Sequence, residues 1–116
     1  TQDGEVTVNA DLSLTPTPNP IDFGTLIPGG ESVQSITLTP GTSNLEISVS
    51  ITGDDVIVNM LADRDGDDVY DSYNGDSFTL TANTPLTFNT KVVIPVGESS
   101  GEKTGTITYT VMEHTT

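Results

Sequence analysis

Cysteine and tryptophan are both missing from this chain of 116 residues, and only Arg64, Lys91 and Lys103 offset its 17 acidic side chains. Without cysteine there is neither a disulfide framework nor a thiolate metal site. A net charge of −14 opposes binding to nucleic acid or to an anionic membrane surface. No apolar run approaches membrane-spanning length, so membrane insertion is not expected. Aromatic residues make up 5% of the chain, which leaves Val, Ile and Leu to build the core. No window carries a 3.6-residue apolar period, and almost no helix is expected. No Asn-x-Ser/Thr acceptor occurs, so N-glycosylation is not signalled.

The means of catalysis are equally sparse. His114 is the only histidine, close to the last residue, with no partner identifiable in sequence. There is no Gly-x-Ser-x-Gly turn and no phosphate-binding glycine loop. Nothing marks a catalytic pair among the 17 acids, and a non-enzymatic protein is expected. The chain opens on Thr1 with no basic and apolar leader, which reads as a mature, processed chain or an excised piece, with no secretion signal visible.

What the sequence does contain is strand pattern. In Glu5–Thr15, Val6, Val8, Ala10, Leu12 and Leu14 alternate with Thr7, Asn9, Asp11 and Ser13. A period of two is that of a strand with one buried face. Pro16, Pro18 and Pro20 follow and predict a stiff, extended spacer that cannot support a ladder. Downstream, turn signals at Pro28–Gly30, Pro40–Gly41 and Gly53 separate alternating runs. Val33, Ile36 and Leu38 carry one slip of phase that predicts a bulge. Leu45, Ile47, Val49 and Ile51 alternate cleanly, and Asp54–Asp55 then reads as turn chemistry. Further runs fall at Val56–Met60, Phe78–Leu80, Leu86–Val96 and Ile107–Val111. Seven or eight short strands predict a single all-β domain, an antiparallel sandwich over residues 21–116. Residues 1–15 precede it as an extension strand, and 16–20 as a spacer.

The stretch LSLTPTPNPIDFGTLIPGGESVQSITLTP resembles the opening of hydin-type immunoglobulin-like domains. VVIPVGESSGEKTGTITYTV is similar to the closing hairpin of many extracellular immunoglobulin-like modules. The resemblance implies an immunoglobulin-like or jelly-roll-type sandwich and carries little about function. It departs from the usual pattern at PGTSN, where Asn-x-Gly is expected, and in an acidic insertion over residues 62–77.

Within that insertion Asp63, Asp65 and Asp67 fall at positions 1, 3 and 5 of a loop, Val69 at 7 and Asp71 at 9. Such spacing suits calcium, which takes six to eight oxygens from a curled loop. The pattern resembles dockerin and thrombospondin-type calcium loops, but Asp68 stands where those have glycine, and position 12 is Asn74. Asp76 is the alternative acid to complete the shell. Against this stands an acidic hairpin tip that simply faces solvent. Tyr70 and Tyr73 flank the loop, where they would pack on the sandwich, cover an ion or stack on a sugar.

The alternation from Val6 to Leu14 has two readings. It is a first strand kinked at the prolines within its own sandwich, or a donor strand for a neighbour's groove. Because donor and acceptor surfaces differ, donation builds a head-to-tail polymer. This resembles the subunits of donor-strand pili and extracellular archaeal and bacterial filaments. The expectation is a calcium-stabilised, secreted filament subunit at the cell surface. The alternative is a calcium-stabilised module of an adhesin, S-layer or cell-wall protein that binds a protein or glycan partner.

Overall fold

The computed structural model describes residue 2 and residues 4–115. Two antiparallel sheets face one another as an all-β sandwich. Its elements are β1 (Leu14–Thr17), β2 (Glu31–Pro40), β3 (Leu45–Gly53), α1 (Asp55–Val58), β4 (Leu61–Asp63), β5 (Asp71–Ser72), β6 (Ser77–Leu80), β7 (Leu86–Val93) and β8 (Gly105–Glu113). The larger sheet runs β1-β2-β7-β4-β5 and the smaller β6-β3-β8.

The cleanest alternation makes the central strand of the smaller sheet. Leu45, Ile47, Val49 and Ile51 of β3 are all buried, each contributing roughly 1.5–3 kcal/mol by leaving water. Opposite them lie Ile36 and Leu38 of β2 and Phe88 and Val92 of β7. Aromatics also reach the centre, contrary to a core of aliphatics alone. Tyr73 and Phe78 both pack on Phe88, with ring centroids 5.6 and 6.5 Å apart.

The predicted bulge in β2 is absent. Its register with β7 is unbroken from Glu31↔Val93 to Leu38↔Leu86, so Val33 faces outward and is 45% exposed. The inward positions at that end are polar, Ser32 and Gln34, which is why the apolar phase slips in sequence. The run after Gly53 also differs from the expected strand. It makes one helical turn, closed by Val58 N–H to Asp54 O and Asn59 N–H to Asp55 O. That turn carries the chain back to the larger sheet and lets both Val56 and Met60 be buried.

At its two ends the sandwich is built differently. One pole carries the 41–44 turn, where β2 ends, β3 begins and β8 finishes. The other carries Gly53–Asp54 and the 98–104 loop, where β8 begins. Asp54 fastens these by donating its N–H to Thr104 O (2.9 Å) and accepting the Thr104 N–H on Oδ2 (2.7 Å). The chain is elongated, 77 × 27 × 20 Å, with a radius of gyration of 17.8 Å, against ~13 Å for a compact chain of this length.

Candidate functional site: a free arm, an open groove and an acidic loop

The structure divides the alternating N-terminal stretch in two. Only Leu14 of the five apolar positions enters a ladder, paired with Pro40, and the strand continues through Thr17. The boundary expected at residue 15 is therefore displaced, because Pro16 sits in β1 opposite Leu38. A proline is tolerated there since β1 is an edge strand with β2 on one side only. Leu14 packs against the core. Residues 4–10, by contrast, form no strand, and among the described residues no hydrogen bond ties them to the body. Val6 and Val8 are 84% and 86% exposed, Ala10 is exposed, and Leu12 is 48% exposed.

The division falls at Asp11, a residue the alternation marks only as polar. Its Oδ1 accepts the Ser13 N–H (3.1 Å) and hydroxyl (2.7 Å). Its Oδ2 accepts the Thr42 N–H (2.9 Å) and hydroxyl (3.0 Å). The Asp11 N–H in turn donates to the Ser43 hydroxyl (2.9 Å). These bonds hold the carboxyl far below the usual aspartate range, the Ser13 hydroxyl first and the Thr42 N–H next. A side chain on Gly41 would run into this carboxylate. Asp-x-Ser is a local turn signal, but its long-range partner at Thr42 has no trace in sequence. The clamp fixes the arm's base to the 41–44 turn, and the arm leaves from that pole.

On the lateral side bounded by β1 and β8, the sheets do not close. Among the described residues β8 pairs with β3 alone, so one edge of this nine-residue strand has no ladder. Its inward side chains Ile107, Tyr109 and Val111 are only half-buried, although they lie directly beside buried Ile51, Val49 and Ile47. A groove of about 1130 Å³ opens here. Ile57 and Met60 line it together with Ile107 and Tyr109, with Ile21, Phe23 and Leu26 from the segment between β1 and β2. That segment crosses the opening without joining either sheet. The opposite side is sealed, because the 74–76 stretch continues the bonding of β6 along β3. There Gly75 N–H donates to Val49 O, Val49 N–H to Asp76 O and Ile51 N–H to Asn74 Oδ1, each at 2.9 Å.

The acidic loop spans β4 and β5. Carboxylate oxygens of Asp63, Asp65 and Asp67 lie within 4.8 Å of one another. Asp63 is buried and organises the loop. Its Oδ1 accepts the Gly66 and Asp67 N–H groups (3.0 and 3.2 Å), and its Oδ2 the Asp68 N–H (3.0 Å). Asp67 Oδ1 accepts the Val69 N–H (2.9 Å). Asp68 has a φ of 64°, so the position expected to want glycine does adopt the left-handed conformation that aspartate tolerates. The carboxyl of Asp65 is pushed up by its hydrogen bond to Asp67, whereas Asp67 is pulled down, chiefly by the Val69 N–H.

Of the other proposed oxygen donors, Asp71 and Asp76 line a small cavity together with Asp65 without joining the triad. Asp71 is in β5, paired with Ala62, and lies outside the triad. Asn74 Oδ1 is taken by β3. Asp76 receives Arg64 in a two-pronged ion pair, Nε to Oδ2 at 2.6 Å and Nη2 to Oδ1 at 2.9 Å, while the guanidinium lies 4.3 Å from the Phe78 ring centroid. The residues thus fit a partial shell of three carboxylates, which the Val69 carbonyl and water would have to complete. Tyr73 is wholly buried and donates to the Tyr109 hydroxyl at 2.8 Å, and burial pushes both phenols up. Tyr70 lies under the Lys91 ammonium, 4.4 Å from its ring centroid. Neither tyrosine presents an open stacking face beside the other.

Comparison with protein-family models, with curated proteins and with solved structures finds no match to this chain.

Proposed function

We propose that this protein is a secreted, non-enzymatic structural subunit of an extracellular filament or pilus-like appendage, polymerising when the arm of one copy enters the β8-side groove of the next. One observation carries the reading: a single chain exposes both halves of an unmade pairing. The arm holds Val6, Val8 and Ala10 at period two and fully in water. The groove holds half-buried Ile107 and Tyr109 beside a strand edge with no ladder. Exposed edges and apolar arms are hazards that soluble domains ordinarily cover, and strand addition covers both at once. The immunoglobulin-like resemblance and the acidic surface accord with a cell-surface setting. Calcium at Asp63, Asp65 and Asp67 would supply a hard divalent charge that holds the loop in place and offsets part of the charge opposing assembly.

The test is light scattering followed by negative-stain microscopy on the full chain and on Val6→Asp/Val8→Asp. High-mass filaments from the parent and monomers from the variant are expected. Monomers from both overturn the reading.

A second reading has its own support. β1 already pairs with β2 in the same molecule, so the sandwich possesses its first strand without a neighbour. A monomer would then be a calcium-stabilised immunoglobulin-like module of an adhesin, S-layer or cell-wall protein, with a protein or glycan partner.

A further inference from the structure

Resting on the arm-donation reading, we infer that the donated strand lies antiparallel to β8, enters at the pole where β8 begins, and so builds a polar, open chain of subunits. The arm leaves its own subunit at the 41–44 pole, clamped by Asp11. β8 runs from Gly105 at the far pole to Glu113 at the arm pole. Two ways of joining copies follow. If the arm pole of one subunit meets the far pole of the next, the arm threads past Gly105 first, and its chain direction opposes that of β8. If two arm poles meet about a two-fold axis, each arm crosses Glu113 first and runs parallel to β8.

The position of the groove decides between them. Extended at ~3.3 Å per residue, residues 4–10 reach roughly 23 Å from the clamp. All three apolar arm residues therefore act near the end at which the arm enters. The groove wall on β8 is formed by Gly105, Thr106, Ile107 and Tyr109, its first half. Entering from the Gly105 end lays Ala10 near the start of β8 and Val6 towards Tyr109. Entering from the Glu113 end would set Ala10 and Val8 beside Glu113 and Val111, outside the groove, with only Val6 reaching Tyr109. Antiparallel addition also continues the pattern of the β6-β3-β8 sheet, in which every pairing is antiparallel. Leu12 and Leu14 stay with their own subunit, since they lie on the body side of the clamp. Contact between unlike poles leaves a free arm at one end and a free groove at the other, so assembly does not close.

Disulfide trapping tests this in the full chain, which has no cysteine of its own. Thr7 and Asn9 alternate with the apolar arm residues, and Thr106, Thr108 and Thr110 are the exposed, outward residues of β8. Thr7→Cys and Asn9→Cys are each combined with Thr106→Cys, Thr108→Cys or Thr110→Cys, oxidised, and resolved under denaturing conditions. Directly opposed positions bring Cβ atoms close enough for a bridge. The expected result is a ladder extending beyond the dimer. The β8 position trapped best by Thr7→Cys should lie two residues later than that trapped best by Asn9→Cys, severalfold above the other positions. A best position two residues earlier, or a ladder stopping at the dimer, overturns the polarity while leaving donation standing. Polymers with no trapped pair overturn donation itself. Chains that stay monomeric throughout overturn both.

Discussion

Asp11 shows how much one half-buried side chain can organise. Four donors converge on its two oxygens, and its carboxyl is depressed in the folded chain. A depressed carboxyl contributes stability above its ordinary value and loses it as pH falls through the folded value. The clamp should therefore be whole at neutral pH and weaken only below about pH 4. Amide exchange at Ser13 and Thr42 should be slow at pH 7 in the parent. Relative to intrinsic rates, Asp11→Ala should lower the protection of both amides at pH 7 and abolish the further loss of protection below about pH 4, and unchanged protection would deny the clamp. The acidic triad makes a different prediction. Asp65→Asn/Asp67→Asn removes two of three close carboxylates while leaving Asp63, which holds the backbone. Calcium should raise the melting temperature of the parent and not that of this variant. Equal indifference to calcium in both would remove the ion from the account.

At the scale of elements, β8 matters most, because it is long and paired on one side only. The predicted arm strand and β8 both read as plain alternation and the prolines after residue 15 as a spacer without a ladder, yet the structure leaves three different states. Leu14–Thr17 is paired, residues 4–10 are free, and β8 has an open edge. A synthetic peptide of residues 4–13, added to Val6→Asp/Val8→Asp chains, should bind and raise their melting temperature. At a hundredfold excess over Kd the gain is about 2.7 kcal/mol. Ile107→Asp in the same background should weaken peptide binding at least tenfold, since it puts a charge on the groove wall. No shift in melting temperature with peptide would mean the groove does not accept the arm.

For the whole molecule, charge and shape pull against each other. Each copy brings a net charge of −14, and adding subunits head to tail brings those charges together. Screening extends over ~30 Å at 0.01 M salt and shrinks to ~8 Å at 0.15 M. Polymer mass measured by light scattering should therefore rise with sodium chloride over that range, without divalent ions. A fall in mass with salt would indicate that contacts between subunits are held by opposite charges instead.

Strand content and the sandwich were legible in the chain because burial on one face of a strand writes itself as period two. Leu45 to Ile51 is the plainest case. The Asp63–Asp67 spacing was legible for the same local reason, since a short loop brings near neighbours together. What tertiary structure alone decided depends on partners distant in sequence. Asp76 is claimed by Arg64 and Asn74 by β3, while Asp71 stands in β5 outside the triad, so the close carboxylates narrow to Asp63, Asp65 and Asp67. Val33 turns outward because β2 keeps its register with β7. Above all, five equivalent alternations from Val6 to Leu14 are divided by a carboxylate bonded to Thr42. Period two states which face of a strand is apolar, but which strand will cover it is settled only when the sheets assemble and leave one edge open.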